Sequence, residues 1–183
     1  MADAHTSAGD EPPLAPETQS PTRADALRRI AAEVSGRHDL DGLFRDVIDE
    51  AFTLFGVDQA GLWLFEDGPT PLHIVAQRGL SQEILDIVST LPRHAQTAGM
   101  DALRDQQVQV LSGDLGATLP RLRTIYRRAG VRTICFVPIV FRGTSLGLLV
   151  LYHVIEYAWT PEETDFAREA TRMIGVLFGA TLS

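Results

Sequence analysis

The sequence predicts an α+β fold: a central antiparallel β-sheet with N- and C-terminal helices on one face. Three observations carry this reading. Apolar residues recur at three- and four-residue steps near both ends of the apolar region, as helix faces do. Between them the pattern changes to short β-rich runs, and two pairs of these runs are joined by turn-rich segments, giving two hairpins. Hydrophobic residues make up 45% of 183 residues and charged residues 22%, enough apolar material for one core and one domain.

Residues 1–22 stand apart. Pro12, Pro13, Pro16 and Pro21 lie among Ala, Ser, Thr and acidic residues, with few large apolar side chains. Such a segment cannot bury enough surface to offset its ordering entropy, so it is expected to be disordered. The folded domain is expected over 23–183.

The first helix is expected over Ala24–Val34, with Leu27, Ile30, Ala31 and Val34 on one stripe. A stronger one follows from Leu40 to Phe55, where Leu43, Phe44, Val47, Ile48, Ala51 and Phe52 hold the helical step. Gly56 ends it. Gln59–Phe65 and Leu72–Arg78 read as strands, and the intervening Asp67-Gly68-Pro69 is turn chemistry. Ser81 is an N-cap for a helix through Val88. Pro92 to Ala98 reads as loop, Gly99–Asp105 as a short helix and Val108–Leu111 as a short strand. Pro120–Ala129 is helical and closes at Gly130. Val131–Phe141 and Leu146–Ile155 are the clearest strands, joined by a turn at Arg142-Gly143-Thr144-Ser145. Thr160-Pro161-Glu162-Glu163 combines an N-cap, a first-position proline and a capping-box glutamate. The helix behind it carries Phe166, Ala170, Met173, Ile174 and Leu177 on one stripe.

Charge and composition exclude several functions. The formal net charge is −8, against the basic face that nucleic-acid binding needs. All 16 basic residues are arginine, and the chain has neither lysine nor asparagine. With one cysteine, Cys135, no intramolecular disulfide forms. No apolar run approaches the ~20 residues of a spanning helix, and nothing resembles a signal peptide, so a cytoplasmic location without membrane contact is expected.

In their order, these segments resemble the GAF domain family, from about Leu27 to Leu182. Gln59–Phe65 (QAGLWLF) is similar to the family's first strand, and Leu72–Leu80 (LHIVAQRGL) to its second with the following glycine. Ala102–Val110 matches the central helix-to-strand passage. The most telling stretch is Gly130–Ile139 (GVRTICFVPI), followed by Gly143 and then Leu146–Leu151 (LGLLVL). Trp159-Thr160-Pro161-Glu162-Glu163 resembles the start of the family's last helix. The resemblance implies a PAS-related architecture, with short helices and loops forming a pocket on the sheet face opposite the terminal helices.

It also implies a sensory or regulatory module, not an enzyme: one that binds a small molecule or relays signals by dimerisation. The output would be a histidine kinase, a cyclic-di-GMP enzyme, a phosphatase or a transcription regulator. By position, the pocket lining comprises Trp63, Met100, Tyr126, Ile134, Phe136 and His153, each of which also reads as plain core. Phe136 stands where the family often has a small residue, so its ring is expected to fill part of the cavity. The cofactor is unknown.

Narrower readings fit less well. Cyclic-nucleotide members carry an Asn-Lys pair, and both residue types are missing here. Bilin attachment uses a cysteine beside a histidine, whereas Cys135 sits inside an apolar strand. Haem binding needs an axial histidine, and the five histidines are isolated. A stand-alone free methionine-(R)-sulfoxide reductase remains the enzymatic alternative, although its cycle needs a second cysteine. Val176 and Phe178 lie off the main stripe of the last helix. A homodimer through Ala24–Val34 and Thr164–Leu182 is therefore expected.

Overall fold

The computed structural model describes residues 40–115 and 118–182, with side chains through Leu177. The tail over 1–22 and the helix expected at Ala24–Val34 lie outside these residues. The elements run α1 (Leu40–Phe55), β1 (Gln59–Phe65), β2 (Leu72–Arg78), α2 (Gln82–Ser89), α3 (Ala98–Asp105), β3 (Gln109–Ser112), α4 (Pro120–Arg128), β4 (Thr133–Phe141), β5 (Thr144–His153) and α5 (Pro161–Leu182).

Both hairpins form, and they join through their first and last strands. The sheet order is β2-β1-β5-β4-β3, antiparallel at every pairing. Strand alternation then sorts side chains onto two faces. Ala60 and Leu62 of β1, Cys135, Val137 and Ile139 of β4, and Leu149 and Leu151 of β5 face α1 and α5. Their partners there include Phe44, Ile48, Phe55, Phe166 and Ile174. Trp63, Ile134, Phe136, Leu148, Val150 and Tyr152 face the other way, towards α2, α3 and α4. The layers are helix, sheet, then short helices, as the sequence predicts.

Close backbone approach, once within the sheet and once between sheet and helix, depends on two glycines. A Cβ at Gly147 would strike the Trp63 carbonyl on the neighbouring strand. A Cβ at Gly175 would stand 2.5 Å from the Val140 carbonyl, so only glycine lets α5 lie this close to β4.

Several boundaries move by a residue or two, each for a local reason. Helix α3 begins at Ala98 because the Thr97 hydroxyl accepts the Met100 N–H at 3.1 Å and caps the first turn. The second hairpin turn is tighter than expected. Arg142 and Gly143, at φ 50° and 76°, form the whole connection, and Phe141 pairs directly with Thr144. Two left-handed residues in succession match the twist of paired strands, so β5 starts at Thr144 and not at Leu146. It ends at His153, leaving Val154 and Ile155 exposed.

The last helix starts as its sequence predicts. The Thr160 hydroxyl accepts the Glu163 N–H at 3.2 Å, and the Glu163 carboxylate accepts the Thr160 N–H at 3.2 Å. The first and second carboxylates of its opening turn also lie at the favourable end of the helix dipole.

Candidate functional site

On the sheet face away from α1 and α5, the chain closes over a small cavity. Its floor is sheet: Trp63 from β1, Phe136 from β4, and Leu148, Val150 and Tyr152 from β5. Its roof comes from Val88 at the end of α2 and Leu91 just past it, Ala98 and Gly99 at the start of α3, and Leu122 and Tyr126 of α4. Thr97 and Thr118 add the polar atoms of the connecting loops.

The free space inside is about 30 Å³, room for little more than a water molecule or two. Pockets that hold drug-sized molecules span roughly 300–1,000 Å³. Phe136 accounts for much of the difference. Its ring lies against Gly99, where a Cβ would stand 3.3 Å from two ring carbons and 3.2 Å from Leu148. Small residues on α3 thus make room for the large one on β4.

Besides those two threonines, three aromatic residues of the lining carry polar groups. Tyr126 and Tyr152 are both buried, with ring centroids 5.7 Å apart and ring planes tilted by 48°. Burial pushes the Tyr126 hydroxyl up to about 12, and it raises Tyr152 well above the ordinary phenol range. The third group is the Trp63 indole N–H, fully buried and without a hydrogen-bond partner. An orphaned buried donor costs roughly 1–3 kcal/mol, and this one lies over Gly61 of β1, where an added Cβ would stand 2.9 Å from it.

The structure brings Trp63, Tyr126 and Phe136 together at this cavity. Ile134 is fully buried on the same sheet face but does not reach the free space. Met100 packs in the same core and opens to an outer crevice of about 460 Å³ with Phe65, His94 and Arg104.

His153 goes elsewhere. Val150 pairs with Phe136 and shares its face, so His153, three residues on, faces α1. There an imidazole nitrogen, Nε2, meets the Phe55 carbonyl at 2.9 Å and the ring stacks on Tyr157 at 4.0 Å. Because a carbonyl only accepts, Nε2 carries the proton, and Nδ1 is left buried without a partner. The Tyr157 hydroxyl in turn donates to Glu163 in the first turn of α5.

Tyr152, a cavity residue absent from the sequence-based set, was available from parity with Phe136 through Val150. The roof residues Val88, Leu91 and Thr97 had no such signal, because helices packed across a sheet leave no register in sequence.

Cys135 faces α5 and is fully buried. Burial first, and the Glu163 carboxylate second, push its thiol far above the ordinary range, which keeps it protonated and unreactive. Among the described residues no three His, Cys, Asp or Glu side chains are grouped to hold a metal ion. No described helix is long and apolar enough to cross a membrane.

This sheet order, with its cavity between sheet and short helices, is accompanied by a match to the GAF domain family over residues 39–178. The chain belongs to the GAF domain family.

Among curated proteins, the chain is similar to the circadian input-output histidine kinase CikA of Synechococcus elongatus, 24% identical over 170 residues. That alignment takes in 82% of this chain but only 22% of the kinase, so the likeness is to one part of a much longer protein. Among solved structures, a domain of a two-component sensor histidine kinase protein from Sinorhizobium meliloti superposes with a TM-score of 0.65. It is 18% identical, with 80% of this chain and 95% of that one covered. The free methionine-R-sulfoxide reductase from Neisseria meningitidis, solved with its substrate, gives a TM-score of 0.69 at 16% identity, covering 99% and 98%. Identities this low carry the GAF fold and not the chemistry.

Proposed function

We propose that this GAF domain is the sensory module of a signalling protein, taking a small, mostly apolar molecule in the cavity between the sheet and α2–α4. The observation that carries the reading is the cavity wall itself: a mostly apolar enclosure lined by the aromatic rings of Trp63, Tyr126, Phe136 and Tyr152. Apolar walls with a few converging polar groups are the usual make-up of ligand sites. Phe136 is the residue that must move to admit a ligand, since its ring and Gly99 leave almost no space.

The module is proposed to be non-enzymatic. A thioether or sulfoxide reaction would need an accessible thiolate and a resolving partner. Cys135 is buried, protonated and alone. The same burial argues against covalent attachment of a bilin.

Two copies are proposed to pair through the terminal helices. Ala170, Met173 and Leu177 form a half-buried apolar row at three- and four-residue steps along α5. Their partner segment at Ala24–Val34 lies outside the described residues. A ligand-induced shift of the sheet would pass to α5 where Gly175 touches Val140, and so to an output domain.

Native mass spectrometry of the protein purified from cells tests the ligand and the dimer together. The proposal predicts a dimer carrying a non-covalent adduct, retained more fully by Phe136→Ala than by the wild type. A monomer without adduct in both proteins, under conditions that keep a control complex intact, contradicts it.

A further inference from the structure

A second concave site lies on the other side of the molecule, between α5 and the outer half of β4. It is a groove of about 440 Å³ with Pro138, Val140 and Val176 among its apolar lining. Arg142, Arg168 and Arg172 line its rim. Three guanidinium groups in one groove stand out on a chain whose net charge is −8.

Two of them carry no ion pair among the described residues. Arg172 is bonded to Glu169 at 2.6 Å, but Arg142 and Arg168 meet no carboxylate among the described residues. Arg142 is also expensive to keep. It occupies a left-handed turn position, φ 50°, where Asn or Gly is the ordinary choice. The turn is held in place from α3. Gln106 donates to the Gly143 carbonyl at 2.7 Å, and the Ser145 hydroxyl donates to the Leu103 carbonyl at 2.6 Å. A strained arginine on a braced turn, with its guanidinium over the Phe141 ring at 5.0 Å, is a positioned cation.

The backbone beside it is open. Strand β3 pairs with β4 only from Thr133 to Phe136, so the stretch from Val137 to Phe141 has β5 on one side and no strand on the other. Pro138 blunts that edge against pairing with another sheet. Arg168 to Val176 on α5 adds a wall on the order of 12 Å long, the span of a few extended residues.

We propose that this groove docks an acidic polypeptide segment of a partner protein, its carboxylates on Arg142 and Arg168 and an apolar side chain against Val140 and Val176. Arginine forks favour carboxylates, and the wall length suits a chain segment over a compact ion.

Fluorescence anisotropy with the full-length protein and a labelled hexapeptide of alternating glutamate and leucine tests the groove. The expected result is saturable binding that weakens about tenfold or more in Arg142→Glu/Arg168→Glu. It should be unchanged in Arg121→Glu/Arg127→Glu, a charge-matched pair on the exposed side of α4. Circular dichroism melts establish that both variants fold. The proposal is overturned by no saturable binding, by equal losses in the two variants, or by equal binding of a glutamate–serine peptide. Displacement by millimolar inorganic phosphate would assign the groove to a small anion instead. A changed sedimentation coefficient of the first variant would assign it to a second copy of the chain. Either result also overturns the docking proposal.

Discussion

Tyr126 of α4 and Tyr152 of β5 pack against each other in the wall of the cavity, ring centroids 5.7 Å apart and both buried. The pair ties the short-helix layer to the sheet at the point where a ligand would have to separate them.

Removing one of these two neighbouring buried hydroxyls should cost more than removing both. Tyr152→Phe takes a neighbouring polar group away from the buried Tyr126 hydroxyl, and a loss of roughly 1–3 kcal/mol is expected. The double change to phenylalanine is expected to recover part of that loss. Urea denaturation of the three variants measures the coupling as a double-mutant cycle.

The same hydroxyl predicts an alkaline limit. The Tyr126 pKa is raised from 10 in the unfolded chain to about 12 in the fold. A raised pKa means the folded state holds the proton more tightly. Its contribution is therefore complete below about pH 10 and is lost as pH rises towards and through about 12. A shift of two units corresponds to roughly 3 kcal/mol. Unfolding free energy measured against pH should fall over this window in the wild type, and fall less in Tyr126→Phe.

How much of this was legible in the sequence depended on local signals. Thr160-Pro161-Glu162-Glu163 states a helix start in its own side chains, and the structure repeats it bond for bond. The strand runs around Trp63 and Phe136 stated their type and their pairing as hairpins, and both fall on one sheet face. His153 shows the limit of placing residues by resemblance: parity with Phe136 through the strand register sends it to α1, away from the cavity. The turn at Arg142-Gly143 is two residues tighter than its sequence predicts, because arginine is an unusual first residue for it. Cavity volume was not legible at all. It is set by Phe136 against Gly99, contributed by elements far apart in the chain.

That unusual turn residue yields a separate prediction. Arg142→Asn should stabilise the protein by about 0.5–1 kcal/mol, because asparagine accepts the left-handed conformation more readily. Thermal denaturation should show a higher Tm. An unchanged or lower Tm would mean that the guanidinium over Phe141 offsets the backbone strain.

Close packing at Gly147 predicts the opposite sign. Gly147→Ala forces a methyl group against the Trp63 carbonyl within the central strand pair, so β1 and β5 must separate. A loss of about 2 kcal/mol or more is expected, seen as a lower urea midpoint with an unchanged slope.

The account rests on the cavity beside Trp63 as the place where a small molecule enters. The chain has two tryptophans, Trp63 and Trp159, and both indole N–H groups are buried without partners, on opposite sides of the sheet. Their two indole N–H resonances in a nitrogen–proton NMR spectrum report the two sites separately. Titration with a small aromatic acceptor such as benzofuran should move the Trp63 resonance saturably, leave Trp159 in place, and act at lower concentration in Phe136→Ala. A Trp63 resonance that stays fixed in both proteins, or movement of Trp159 alone, would contradict the account.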